Sequence, residues 1–449
     1  MDARVEPHPT PGKPPLAVSL HFPRLRQNGG ARQPEVASPG LWRAVQQRDL
    51  DRLAHTPRAS ETAPMIFPAL LLVALLALLA LRAFWLRESG RRLRPAPPVV
   101  PLTITTEAEG LARTERFLRD EFHLKPRAQL EAGADRADLL RAKREMFDRE
   151  GAARDHGAAH IPVAPSGPHG VSGPGGVSGP DSISGEWTLA PGADPRRRML
   201  YLHGGGFTVG SALSHRAITA GLSRGAGCAV FAPDYRLMPE HSRLDSLRDA
   251  MTAYRWLLEH GPDGPARTAT STPDALFIGG DSAGGNLALA LLQAARGAGL
   301  RPADAAVLFS PSTDYTLSAP SLRANFDTDT MLQPLARPLL NAPRALLPFA
   351  IWKAMGARPT DPRVSPLFGR LHALPPTLIQ VSATEMLLDD ARRYAARARA
   401  AGSPVTLEIW QAPAGAPPLP HVWHIFAHWL PGARDALGRA GTYLTAHVQ

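Results

Sequence analysis

From Trp187 onward, short apolar runs alternate with helix-forming segments, and this alternation limits the possible folds more than any other feature of the chain. The runs are Arg198–Leu202, Ala229–Ala232, Ala275–Gly279, Ala305–Phe309, Thr377–Val381 and Val405–Trp410, with helical segments over 245–259, 285–298 and 387–401 between them. Strands separated by helices must cross over and return parallel, so the pattern predicts an α/β domain over 187–449, with a mostly parallel central sheet flanked by helices.

The front of the chain reads differently. Residues 1–63 are rich in Pro, Arg and polar side chains, show little apolar periodicity, and are expected to be disordered or a mis-annotated extension. The apolar run 65–86 would rise about 33 Å as a helix, enough to cross a hydrocarbon core of about 30 Å, and predicts an N-terminal transmembrane helix. Arg87, Arg91, Arg92 and Arg94 follow it, against Arg48, Arg52 and Arg58 before it; this bias predicts a single-pass membrane protein with its C-terminal domain in the cytoplasm. If translation starts at Met65 the upstream arginines vanish and the bias sharpens. A buried core helix and a cleaved signal peptide compete with this reading. The first would be shorter or amphipathic, and the second lacks a small-residue cleavage site.

Residues 104–150 carry a helical pattern (Leu111, Phe117, Leu139, Leu140, Met146 among many charges), broken near Lys125-Pro126, and are expected to form a helical cap. Within 151–186 the sequence Gly-Val-Ser-Gly-Pro occurs at 170–174 and again at 176–180, predicting a flexible low-complexity loop. The apolar, Pro-rich stretch 320–356 is a possible second cap segment.

A formal charge of +10 raises the question of nucleic acid. The arginines are spread along the whole chain instead of forming one stripe, so no nucleic-acid partner is expected. The single cysteine, Cys228, can form neither an intramolecular disulfide nor a Cys-based zinc site, and it sits in a run of small apolar residues that suits burial. No cofactor and no metal are predicted. Oligomeric state is not legible.

Two segments carry chemistry. Leu276-Phe277-Ile278-Gly279 runs into Gly280-x-Ser282-x-Gly284, and a helix-forming run follows. A serine on a sharp strand-to-helix turn needs small neighbours, and the turn lifts its hydroxyl above the sheet at a helix N-terminus. A plain Gly-rich turn is the competing explanation. The second segment, His203-Gly204-Gly205-Gly206-Phe207, directly follows the apolar run ending at Leu202. Consecutive glycines can turn their N–H groups towards a developing oxyanion. A phosphate-cradling loop would need a Gly-Lys-Ser/Thr ending, which is absent.

These segments, with Asp234-Tyr-Arg-Leu-Met-Pro-Glu240 and Pro420-His421-Val422-Trp423, resemble in kind and order the hormone-sensitive lipase family of α/β-hydrolases, which includes many bacterial esterases. The resemblance covers 187–449 well, 104–150 weakly and 1–100 not at all. It implies the α/β-hydrolase fold, Ser282 as nucleophile, His421 as general base, and the N–H groups of Gly205, Gly206 and Ala283 as the oxyanion hole. His203 is then a brace for the glycine loop and Asp281 a supporting residue. For the acid, the family commonly has Asp where this chain has Glu385. Its place after the run ending at Val381 favours Glu385 over Asp389, which stays open. The connection 412–420 is longer than the family's usual one, and His424 and His428 are rivals to His421. The expected activity is carboxylic-ester hydrolysis of short- to medium-chain esters or lactones, small-molecule substrates, through an acyl-enzyme. A binding protein on the same fold and an acyltransferase are the alternatives; the presence of Ser282, His421 and an acid together favours the enzyme.

Overall fold

The computed structural model describes residues 63–86, 99–104, 108–124, 133, 135–152, 154, 156–166, 182–262, 272–343 and 346–448. Of the extension expected over 1–63, all but Ala63 lies outside them, as does the break near Lys125-Pro126.

The apolar run forms helix α1, Ala63–Leu86, with Pro68 inside it. Among the described residues, however, no helix is long and apolar enough to cross a membrane. Pro68 falls near the start of α1 and Arg82 puts a charge near its end. The transmembrane helix predicted over 65–86, the membrane as a partner, and the single-pass localisation with a cytoplasmic catalytic domain are corrected accordingly.

Among the described residues, nine strands form one sheet: β1 Leu102–Thr103, β2 Ala159–Ser166, β3 Ile183–Leu189, β4 Asp194–Leu202, β5 Cys228–Pro233, β6 Ala275–Asp281, β7 Ala305–Phe309, β8 Thr377–Ser382 and β9 Val405–Gln411. Their order is β1-β9-β8-β7-β6-β4-β5-β3-β2. The strands from β5 across to β1 pair parallel; β3 joins β5, and β2 joins β3, antiparallel. The predicted α/β architecture is present. The stretch 151–186, read as a low-complexity loop, instead contributes strands at both ends of 167–181, which itself lies outside the described residues. Val163 pairs with Gly185 and Ile161 with Trp187. A Gly/Pro-rich tract thus hid the last two strands at one end of the sheet, whose pairing is a long-range property.

Among the described residues the longer helices after α1 are α2 Ala108–Phe117, followed by a π-helical turn Leu118–Leu124, α3 Arg136–Ala152, α4 Arg216–Ala226, α5 Arg243–Glu259, α6 Ser282–Gly297, α7 Gln333–Asn341, α8 Leu347–Met355, α9 Leu388–Ala400 and α10 Pro431–Thr445. The period-two geometry of strands divides the core between the two faces of the sheet. Leu200, Leu202, Leu276 and Ile278 pack on one face with α5, α6 and α9; Met199, Tyr201, Ala275 and Phe277 pack on the other with α4 and α10. Ser242 begins α5 with a reciprocal cap, in which its hydroxyl accepts from Asp245 N–H at 3.2 Å and its own N–H donates to the Asp245 carboxylate at 2.9 Å. Such caps stabilise a helix by about 1 kcal/mol. The loops that leave the C-terminal ends of β4, β6, β7, β8 and β9 all open on one edge of the sheet, where ligands bind in open parallel sheets.

Candidate active site

Strand β6 is buried throughout and ends at Asp281. The next residue, Ser282, turns to φ +51° and begins α6. A left-handed conformation at a non-glycine residue costs about 1–3 kcal/mol and persists only when its surroundings hold it. Here they do, because the glycines let the backbone close in. A Cβ on Gly280 would lie 2.6 Å from the carbonyl oxygen of Gly284, and one on Gly284 would collide with the carbonyl oxygen of Leu202. The Gly280-x-Ser282-x-Gly284 spacing is therefore a packing requirement of this turn.

At the turn, Ser282 Oγ is 2.8 Å from His421 Nε2. On the far side of the ring, His421 Nδ1 is 3.4 Å from Glu385 Oε1, at the long end of hydrogen bonding. The carboxylate is held by its other oxygen, which accepts from Ser310 Oγ at 2.7 Å and from Ser382 N–H at 3.1 Å. His421 and Glu385 are both buried. Burial acts to lower the His421 pKa, but the charge and hydrogen bond of Glu385, with Asp329 and Asp281 nearby, outweigh it and leave the imidazole above its ordinary value.

The rivals lie elsewhere. Asp389 accepts from Ser321 N–H at 2.9 Å and pairs with Arg392 at 3.4 Å. His424 is buried, with Nε2 2.9 Å from Gln380 Oε1 and its ring stacked on Phe309. His428 lies against Trp429, with ring centroids 4.1 Å apart. The long connection before His421 is pinned by Leu419, whose carbonyl accepts from Ser382 Oγ at 2.7 Å and Thr384 Oγ1 at 3.0 Å. This ties the histidine loop to the loop that carries Glu385.

The glycine loop faces the same pocket. Gly205 has φ +108° and Gly206 φ +62°, values that an L side chain resists. Both line the pocket around Ser282 and His421. Ala283 follows Ser282, buried in the first turn of α6. His203 stacks on Tyr235 at 4.2 Å, and its carbonyl accepts from the Tyr235 hydroxyl at 2.6 Å. Burial pushes its pKa down to about 3, so it braces the loop as a neutral ring. Asp281 accepts from Gly204 N–H at 2.9 Å and from Tyr201 OH at 2.7 Å, joining the Ser282 turn to the glycine loop. Burial acts to raise its carboxyl pKa, but His215 and the Tyr201 hydrogen bond hold it below the ordinary value.

The pocket, about 210 Å³, is also lined by Phe122, Leu140, Lys143 and Phe147 from the 108–152 region and by Met331, Leu332 and Leu335. Only part of 320–356 reaches it. Helix α8 turns Ile351 and Met355 into the core on the face of α5. Sequence reasoning missed Ser310, Ser382 and Asp329. The first two stand at the C-terminal ends of β7 and β8, a position that marks site residues in parallel sheets. Asp329 had no local signal: it is buried and accepts from Met386 N–H at 2.8 Å, beside Glu385. Among the described residues no group of three or more His, Cys, Asp or Glu is placed to hold a metal ion.

A serine on a strained strand-to-helix turn, backed by a histidine and a carboxylate from the loops after later strands, defines an α/β-hydrolase. A family model described as the alpha/beta hydrolase fold matches residues 199–415. The chain is 39% identical over 259 residues to an acetyl-hydrolase of Streptomyces hygroscopicus, covering 58% of this chain and 78% of that protein. It is 35% identical over 254 residues to the esterase LipU of Mycobacterium tuberculosis, covering 57% and 79%. Among solved structures, an esterase from the bacterial hormone-sensitive lipase family superposes with TM-score 0.58 at 32% identity, covering 76% of this chain and 99% of that one. The chain belongs to the hormone-sensitive lipase family of α/β-hydrolases and is an esterase.

Proposed function

We propose that the chain hydrolyses short- to medium-chain carboxylic esters, or lactones, through a Ser282–His421–Glu385 triad and an acyl-enzyme. The observation that carries this is the 2.8 Å approach of His421 Nε2 to Ser282 Oγ on the strained turn, with Glu385 behind the ring. His421 takes the Ser282 proton as Oγ attacks the ester carbonyl, and Glu385 keeps the ring oriented and favours the imidazolium that forms. The N–H groups of Gly205, Gly206 and Ala283 receive the developing negative oxygen. His421 returns the proton to the departing alcohol, then activates a water that releases the acid. Helices α2 and α3, with the turn around Met331, act as a cap that shields the acyl-enzyme. The names of relatives, acetyl-hydrolase among them, favour the short end of the acyl range.

The test is hydrolysis of p-nitrophenyl esters by the full chain, from acetyl to dodecanoyl. Turnover is expected on the shorter acyl groups, with a fall in kcat/KM as the chain outgrows the pocket. A folded protein that turns over none of them would sink the reading.

A pH dependence follows. The general base works only as neutral imidazole, and His421 is raised, so the protonated, inactive form persists to higher pH than for an ordinary histidine. The acid limb of kcat/KM is expected above the usual imidazole value, with activity lost as pH falls through it. Glu385→Gln, which removes the largest raising influence, should move that limb down. A limb at the same pH in both proteins would show that Glu385 does not govern the base.

A further inference from the structure

Helix α3 brings Leu140, Lys143 and Phe147 to the pocket that holds Ser282 and His421. Their spacing of three and then four residues places them on a single helical face. The π-helical turn adds Phe122 to the same wall, and the turn around Met331 adds Leu332 and Leu335. Of all these side chains only Lys143 carries a charge.

Lys143 is half-buried, and among the described residues it makes neither a hydrogen bond nor an ion pair. Its ammonium nitrogen lies 5.6 Å from the centroid of the Phe122 ring, at the far end of the cation–π range. Burial lowers its pKa, and no neighbouring carboxylate opposes the shift. The next residue along α3 shows the contrast. Arg144 donates to both Glu240 oxygens at 2.9 Å, to the Thr208 carbonyl at 2.8 Å and to the Met238 carbonyl at 3.0 Å. A cation drawn out of water costs free energy unless an anion or an acceptor meets it. Among the described residues none meets Lys143. The carboxylates at the pocket are already committed: Asp281 accepts from Gly204 N–H and Tyr201 OH, and Glu385 stands behind His421. Both repel an anion that enters, and Lys143 is the cation on the wall that opposes them.

We propose that Lys143 binds a carboxylate of the substrate, so that the preferred esters carry one negative charge a few atoms from the reacting carbonyl. The proposal rests on the reading of Ser282 as the nucleophile for short esters and narrows their class. The charge stands on the acyl part, as in a monoester of a dicarboxylic acid, or on the alcohol part, as in an acylated hydroxy acid. An ammonium on a flexible four-carbon stem is a mobile point charge and suits either.

The experiment measures kcat and KM of the full chain by proton release on two matched pairs, monoethyl glutarate against ethyl pentanoate and 4-acetoxybenzoate against phenyl acetate, with p-nitrophenyl butanoate as control. Comparing the charged-to-neutral ratio of kcat/KM between proteins cancels the intrinsic reactivity of the esters and any loss of folded enzyme. Lys143→Met, which keeps the bulk of the stem without its charge, is expected to lower that ratio about tenfold on one pair, the size of one charge-assisted hydrogen bond. The loss should lie in KM, since the ion pair is made in the ground state and the transition state alike. The pair that responds places the carboxylate on the acyl or the alcohol side. Lys143→Arg should keep most of the ratio, and added salt should lower it in the wild type but not in Lys143→Met. A ratio unchanged between the wild type and Lys143→Met on both pairs would overturn the proposal and leave Lys143 a solvated side chain at the pocket rim. Folded wild type that turns over neither the neutral esters nor p-nitrophenyl butanoate would instead overturn the short-ester reading, and the proposal with it.

Discussion

Ser282→Ala removes ester hydrolysis, with an expected fall in kcat of about 10⁴- to 10⁶-fold and little change in melting temperature. The size follows from what is lost. Without Oγ no acyl-enzyme forms, and only the glycine loop and substrate binding remain to accelerate attack by water. The fold should tolerate the change, because the strain at φ +51° belongs to the backbone and Ala has the same Cβ there. Oγ contributes a contact to His421 but no packing in either core cluster. Steady-state kinetics beside a thermal melt checks both halves. Activity within tenfold of the wild type would remove Ser282 from the mechanism.

Glu385→Gln is expected to cost about 10³- to 10⁴-fold in kcat, whereas Asp389→Asn should cost less than about tenfold. The amide that replaces the Glu385 carboxylate would keep its shape and could still accept from Ser310 and Ser382. It would lose the charge that favours the imidazolium, and its NH₂ group would compete for the ring orientation that Glu385 enforces. Asp389 has other work: it accepts from Ser321 N–H and pairs with Arg392, 3.4 Å away, at the start of α9. Its loss should show in the melting temperature more than in kcat. A larger kinetic loss for Asp389→Asn than for Glu385→Gln would reverse the assignment.

Much of this architecture is legible residue by residue. The runs at 198–202, 229–232, 275–279, 305–309, 377–381 and 405–410 all lie within strands, and β5, β6, β7 and β8 are buried along their whole length, as a strand covered on both faces must be. Strands β2 and β3 were not legible. The Gly/Pro tract between them reads as a loop from end to end. What makes them strands is the free edge of β5, to which Trp187 pairs through Phe231. The apolar run 65–86 misled in the opposite direction. Hydropathy alone predicts a membrane crossing, but no helix among the described residues has both the length and the apolar character for one.

The site divides in the same way. Gly280, Ser282 and Gly284 declare themselves because a tight strand-to-helix turn is a local steric problem, solved within five consecutive residues. Likewise Gly205 and Gly206 mark a loop whose backbone must adopt positive φ. The partner of Ser282 is 139 positions away, and its distance is set by neither segment's own sequence. It depends on β8 and β9 lying side by side, on Leu419 being pinned by Ser382 and Thr384, and on Asn325, whose side chain donates to the carbonyls of Ala383 and Glu385. The class of fold and the strained turn at Ser282 can be read from residue order alone, since they rest on burial patterns repeated along the chain and on local sterics. The motifs' resemblance to a family adds a short set of candidate partners for the serine. Folding then selects among them: it brings His421 rather than His424 or His428 to Ser282 and sets Glu385 behind the ring. Contacts between distant segments depend on packing that no short stretch of residues encodes.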